Sequence, residues 1–103
     1  MPYIKKEIRE NLESALDNLL QEIYVEEAKG AGLDGALNYV ISTIVTDGIN
    51  PTRKPWSYAD IARATAVFEC AKLEYYRRIA GPKEDLAIEQ NGDIDAYVVH
   101  TSS

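Results

Sequence analysis

The run SYADIARATAVFECAKLEYYRRI, from Ser57 to Ile79, constrains the fold more than any other stretch of this chain. It predicts a helix of about six turns. Ser57 is a good N-cap, and Asp60 three residues later completes a weak capping box. Ala59, Ala62, Ala64, Ala66 and Ala71 favour helix inside it. Gly81-Pro82 is expected to end it, because proline clashes with a continuing helix and restricts the residue before it. Arg77 and Arg78 fall in the last turn, where cations suit the negative end of the helix dipole. At about 100° per residue, Ile61, Ala64, Phe68, Tyr75 and Ile79 share one face. Tyr58, Ala62, Ala66, Leu73 and Tyr76 widen it past half the circumference. Such a helix is expected to be more enclosed than an ordinary surface helix, with most of the molecule packed against it.

Two charges, Glu69 and Lys72, fall inside that arc, three residues apart and therefore neighbours. A buried pair of this kind is costly unless its hydrogen bonds are satisfied. One reading is a structural ion pair, the commoner use of such positions, at a subunit contact. The other makes the pair part of a ligand-pocket floor with Tyr75, Tyr76 and a neighbouring arginine.

With 103 residues the chain is expected to form one helical domain over residues 1–94, followed by a tail at 95–103. That is long enough for a core, though a small one. The net charge of −6 and pI near 4.7 argue against wrapping DNA or RNA phosphate. The charge is uneven. Residues 1–29 carry four basic and seven acidic groups, residues 58–79 four and three, and residues 80–103 one and five. A local basic patch is therefore compatible with the acidic whole. Cys70 is the single cysteine, so no intrachain disulfide forms, and a buried, inert thiol is expected mid-helix. No signal peptide or membrane-length apolar run appears, which points to a cytoplasmic protein that does not engage a membrane.

Ahead of the central helix, Ile4, Ile8, Leu12, Leu16, Leu19, Leu20 and Ile23 recur at three- and four-residue steps. They predict an amphipathic helix from about Ile4 to Ala28, with charged residues on its other faces. Gly30, Gly32 and Gly35 form the turn after it, and Asp34 is the expected N-cap of a short second helix, Gly35 to Thr46, closed by Asp47-Gly48. The first helix is longer than the second can cover, which is a hint of self-association. Asn38 and Ser42 lie four apart on one face of the second helix with Tyr39 alongside. Asn38 has donor and acceptor capacity for a backbone or a ligand.

The loop NPTRKP (Asn50 to Pro55) is stiffened by two prolines and carries Arg53 and Lys54. Trp56 after it suits a staple onto the first turn of the central helix, and a tryptophan beside a basic loop can also stack on a base or sugar. Beyond the central helix, Pro82 opens a short fourth helix anchored by Leu86 and Ile88 and stopped by Asn91-Gly92. The tail holds a short strand candidate at Ala96–His100, either an arm toward a neighbouring subunit or a frayed end. The fold class is therefore all-α: a small helical bundle of one long, one short, one central and one short C-terminal helix, with an extended tail.

No catalytic set stands out. There is no phosphate-cradling glycine loop, no metal-spaced His/Cys cluster and no nucleophile with a local histidine partner. An enzyme is not expected, and neither is a cofactor or metal.

The opening MPYIKKEIR, the segments ALNYVIS (Ala36–Ser42) and ECAKLEYYRR (Glu69–Arg78), and the NGD of Asn91–Asp93 are similar to a family of small proteins of phages and prokaryotes that carries a domain-of-unknown-function label. The resemblance covers most of residues 1–94. ECAKLE followed by two aromatics and two arginines is its most specific part. It departs at Pro82-Lys83-Glu84-Asp85, where the family has Pro-Tyr-Glu-Asp, and the tail after Ile94 extends past the family's usual end. The resemblance implies a compact all-helical unit and supplies no activity. Phages also encode small, oligomeric, often helical proteins that sequester nucleotide signals of bacterial immunity, and the likeness to these is one of size and setting.

The reading that unites these features is a homo-oligomer that binds without catalysis. Its expected ligand is small, anionic and nucleotide-like, held near Glu69, Lys72, Tyr75, Tyr76, Arg77 and Arg78, with Asn38 and Tyr39 as further candidates. The alternative is a helical adaptor or inhibitor that grips a host or partner protein and takes no small ligand.

Overall fold

A computed structural model of the chain describes residues 4–98. The small all-α fold expected from the sequence is the fold observed. Its elements are α1 (Lys6–Ala28), α2 (Leu33–Ile49), α3 (Tyr58–Tyr75), a π-helical turn (Tyr76–Ala80), α4 (Gly81–Asn91) and a 3-10 turn (Asp95–Tyr97). No strand occurs among the described residues. The chain divides into two compact units, Met1–Thr65 and Ala66–Ser103, and α3 crosses the boundary.

In the first unit α1 packs against α2, and Ile23 is buried. The turn between them is a Schellman motif. Gly30 N–H donates to the Glu27 carbonyl at 2.9 Å and Ala31 N–H to the Glu26 carbonyl at 3.1 Å. Gly30 has φ +108°, a conformation for which glycine is suited. α2 begins two residues earlier than expected, with Gly32 as N-cap and Asp34 in the first turn. It also continues through Asp47-Gly48 to Ile49. What ends it is Pro51, which disfavours helical geometry at Asn50 (φ −128°, ψ 68°). The α1 stripe is covered only near its C-terminal end: Leu19 is half-buried, while Ile4, Ile8, Leu12, Leu16 and Leu20 are exposed.

Ser57 caps α3 as expected, its hydroxyl accepting the Asp60 N–H at 3.1 Å. The expected stop at Gly81-Pro82 does not occur. Helical backbone runs from Tyr58 to Asn91, and the π turn lies immediately before the proline. The Gly81 N–H reaches back five residues to the Tyr76 carbonyl, the wider π-helical step. This local change of register accommodates the missing N–H of Pro82, which then sits in the first turn of α4, where helices tolerate proline. Gly92, with φ +81°, ends α4 where expected, its N–H bonded to the Ile88 carbonyl at 2.7 Å.

The enclosed central helix is corrected. Ala64 is buried, but Ile61, Val67, Phe68, Leu73, Tyr75, Tyr76 and Ile79 are exposed. Periodicity identifies the apolar side of a helix without supplying the surface to cover it. Leu86 and Ile88, expected to anchor α4, are exposed as well, and Cys70 is half-buried. In the tail, Ile94 accepts the Tyr97 N–H in the 3-10 turn and Val98 is extended. The rest of the strand candidate, with His100, lies outside the described residues.

Candidate functional site

The predicted ligand cluster lies along α3 and the π turn. Glu69 and Lys72 pair at 3.6 Å, but their side chains are 54% and 72% exposed. The buried pair inside an apolar arc is therefore a surface pair, of the kind worth about 0–1 kcal/mol. Glu74, half-buried on α3, takes the Arg77 guanidinium at 2.8 Å and Arg78 at 3.7 Å. Helical spacing explains this, since Arg77 and Arg78 follow Glu74 by three and four residues. Both arginines expected to hold phosphate thus already face a carboxylate.

The Tyr76 hydroxyl donates to the Glu84 carboxylate, with both oxygens at 2.7 Å. This contact reaches from the π turn into α4 and braces the helix where Pro82 cannot donate a backbone bond. The Glu84 charge beside it holds the Tyr76 phenol above the ordinary tyrosine range, first through the hydrogen bond and then through direct repulsion of a phenolate. Tyr75 is exposed. From residue 66 to residue 98 the chain carries four basic and seven acidic side chains. The cluster is thus a mixed-sign surface, and a phosphate there competes with Glu69 and Glu74.

Asn38 and Tyr39 lie on α2, in the first unit, and both are exposed. Tyr39 is within electrostatic reach of the Arg53 guanidinium. It therefore belongs with a group of residues that the sequence reading kept out of its site. The end of α2 and the loop after it form an open cleft of about 680 Å³. Thr46, Asp47, Asn50, Arg53, Lys54 and Trp56 are among its lining residues. Arg53 clamps Asp47 through Nε at 3.1 Å and Nη2 at 2.9 Å. These bonds hold the Asp47 carboxyl below its ordinary value and the Arg53 guanidinium above its own. The signal that could have found the cleft was composition: a tryptophan, two cations and an asparagine within seven residues, between prolines that fix the loop.

The family description "Domain of unknown function (DUF6899)" matches residues 1–94. The chain belongs to this family. The DUF6899 match spans all eight predicted site residues and the cleft, and it ends at Ile94, where the tail begins. No curated protein and no solved structure matches the chain. Among the described residues of this DUF6899 chain, no three His, Cys, Asp or Glu side chains converge as metal ligands. None of the described helices is long and apolar enough to cross a membrane.

Proposed function

We propose that this chain is a self-assembling binding protein whose copies cover one another's apolar stripes and whose assembled form holds its target without chemical turnover. The observation that carries this is exposure. Ile23 and Ala64 are the buried apolar side chains among the described residues, while large hydrophobic residues are exposed along every helix. Exposed apolar stripes of this extent favour burial against further copies of the chain.

The target that best fits the earlier reading is an anionic nucleotide-like molecule at Glu69, Lys72, Tyr75, Tyr76, Arg77 and Arg78. Exposed aromatic rings there offer stacking, and the planar guanidinium fork suits phosphate geometry. By analogy with phage sequestering proteins, the setting would be the cytoplasm of a prokaryotic host. The second reading is an adaptor for a partner protein, favoured by the carboxylates that already face Lys72, Arg77 and Arg78.

Native mass spectrometry followed by heat release and identification of the released molecule separates the two. The ligand reading predicts an oligomer that releases an intact nucleotide. It also predicts affinity reduced roughly tenfold in Lys72→Ala and Arg78→Ala, the scale of one lost charge-assisted contact. Unchanged nucleotide binding in both variants contradicts that site. An empty oligomer with no thermal shift across a nucleotide panel favours the adaptor.

A further inference from the structure

The cleft beside Trp56 has the features of a built site that the proposed function does not use. Asn50 lines it and is 2% exposed. Its Nδ2 donates to the Lys54 carbonyl at 2.8 Å. That bond fixes the amide orientation, because a flipped amide would set oxygen against oxygen. Oδ1 is then a buried acceptor without a partner. Asn50 is thus a fixed floor of the cleft, its amide held by the loop backbone.

The loop above it is held under strain. Arg53 closes a turn by donating its N–H to the Asn50 carbonyl at 3.1 Å, and its own φ is +51°. A non-glycine residue in that conformation is uncommon and persists where surrounding contacts hold it. The clamp to Asp47 holds the side chain here. The clamp uses two of the five guanidinium N–H donors and leaves the others for a second acceptor. Asp47 and Arg53 cancel in charge, so Lys54 leaves the lining with one net positive charge. Trp56 is 39% exposed and lines the same space.

We propose that this cleft binds a small anionic ligand with a planar heteroaromatic ring. The ring stacks on Trp56, and the anionic group is taken by Lys54 and the outer edge of Arg53. Stacking on an aromatic side chain and a charge-assisted contact to the anionic group act together in such a site. The site lies wholly within the first unit. It stands or falls separately from self-assembly and from the Lys72–Arg78 cluster.

Trp56 is the only tryptophan, so its emission reports the cleft directly. The probes are AMP and GMP, with adenosine as ring without phosphate and ribose 5-phosphate as phosphate without ring. Excitation is at the red edge, where purines do not absorb. The expected result is saturable quenching by a purine mononucleotide, with both partial probes weaker. Lys54→Ala, a substitution at an exposed side chain, is expected to weaken the mononucleotide roughly tenfold while leaving adenosine unchanged. Arg53→Gly, which fits the same backbone without strain, is expected to weaken it too. Absence of saturable quenching up to millimolar mononucleotide overturns the proposal. So does quenching that both Lys54→Ala and Arg53→Gly leave intact while their circular dichroism stays native.

Discussion

Tyr76 and Glu84 show how one contact ties local sequence to a measurable property. The phenol is bonded in its neutral form to a carboxylate, so ionising it sets two negative charges side by side. Its folded value therefore lies above 10.0. The stability this contact supplies is fully present below the unfolded tyrosine value and is lost as pH rises through the folded one. Phenolate absorbance against pH should show one of the seven tyrosines titrating late. Glu84→Gln should return that component toward 10.0, and Tyr76→Phe should remove it. A titration curve unchanged in Glu84→Gln would mean that the contact does not hold in solution. At this scale the sequence was informative about caps and stops. Ser57 and Gly92 act where their chemistry said they would. Glu69 and Lys72 pair as their spacing said they would but are exposed in the single chain, because a place inside an apolar arc does not by itself mean burial. Asn50 went unnoticed as a site residue because an asparagine before a proline reads as turn chemistry. Its burial depends on how the loop folds back on α2.

At the scale of elements, Gly81-Pro82 shows a local rule overruled by local geometry. Glycine and proline together read as a helix stop, yet one π-helical step carries the helix through them. No residue pattern near Tyr76 announces that step, because the i→i+5 bond is a backbone choice open to most sequences. The conformation at Gly81 is ordinary right-handed helix, φ −56° and ψ −55°. A Cβ there would lie 3.5 Å from the Tyr76 carbonyl oxygen, normal contact distance. Gly81→Ala is therefore expected to stabilise the protein by about 0.4–1 kcal/mol through the unfolded chain. Gly92→Ala, at φ +81°, is expected to destabilise it by at least about 1 kcal/mol. Thermal unfolding of both variants under one buffer checks the pair. Destabilisation by Gly81→Ala would show that the π turn needs more freedom than its dihedrals indicate. The helical type of each segment was readable from periodicity, and α1 and α4 lie close to where spacing put them, but the break expected between the third and fourth helices is absent. The ends of α2 were not, since the first turn starts on Gly32 and the last is set by Pro51 rather than by Asp47-Gly48.

For the whole molecule, the decisive quantity is apolar surface without a partner. The stripe from Ile4 to Leu20 outruns α2, and the wide arc of α3 meets solvent over most of its length. The mismatch between α1 and its neighbour was visible in the sequence from helix lengths alone. The extent of exposure on α3 was not, because only the folded chain shows how little of it is covered. Copies of the chain packed along these stripes would bury them, and an acidic residue in the middle of the stripe would oppose that. Sedimentation equilibrium of the full chain and of Leu12→Asp, with circular dichroism on the same samples, tests this most directly. Self-association through these stripes predicts a defined oligomer at micromolar concentration for the natural sequence. For Leu12→Asp it predicts a shift toward monomer, with loss of cooperative unfolding. A natural chain that sediments as a folded monomer with a cooperative thermal transition would contradict it.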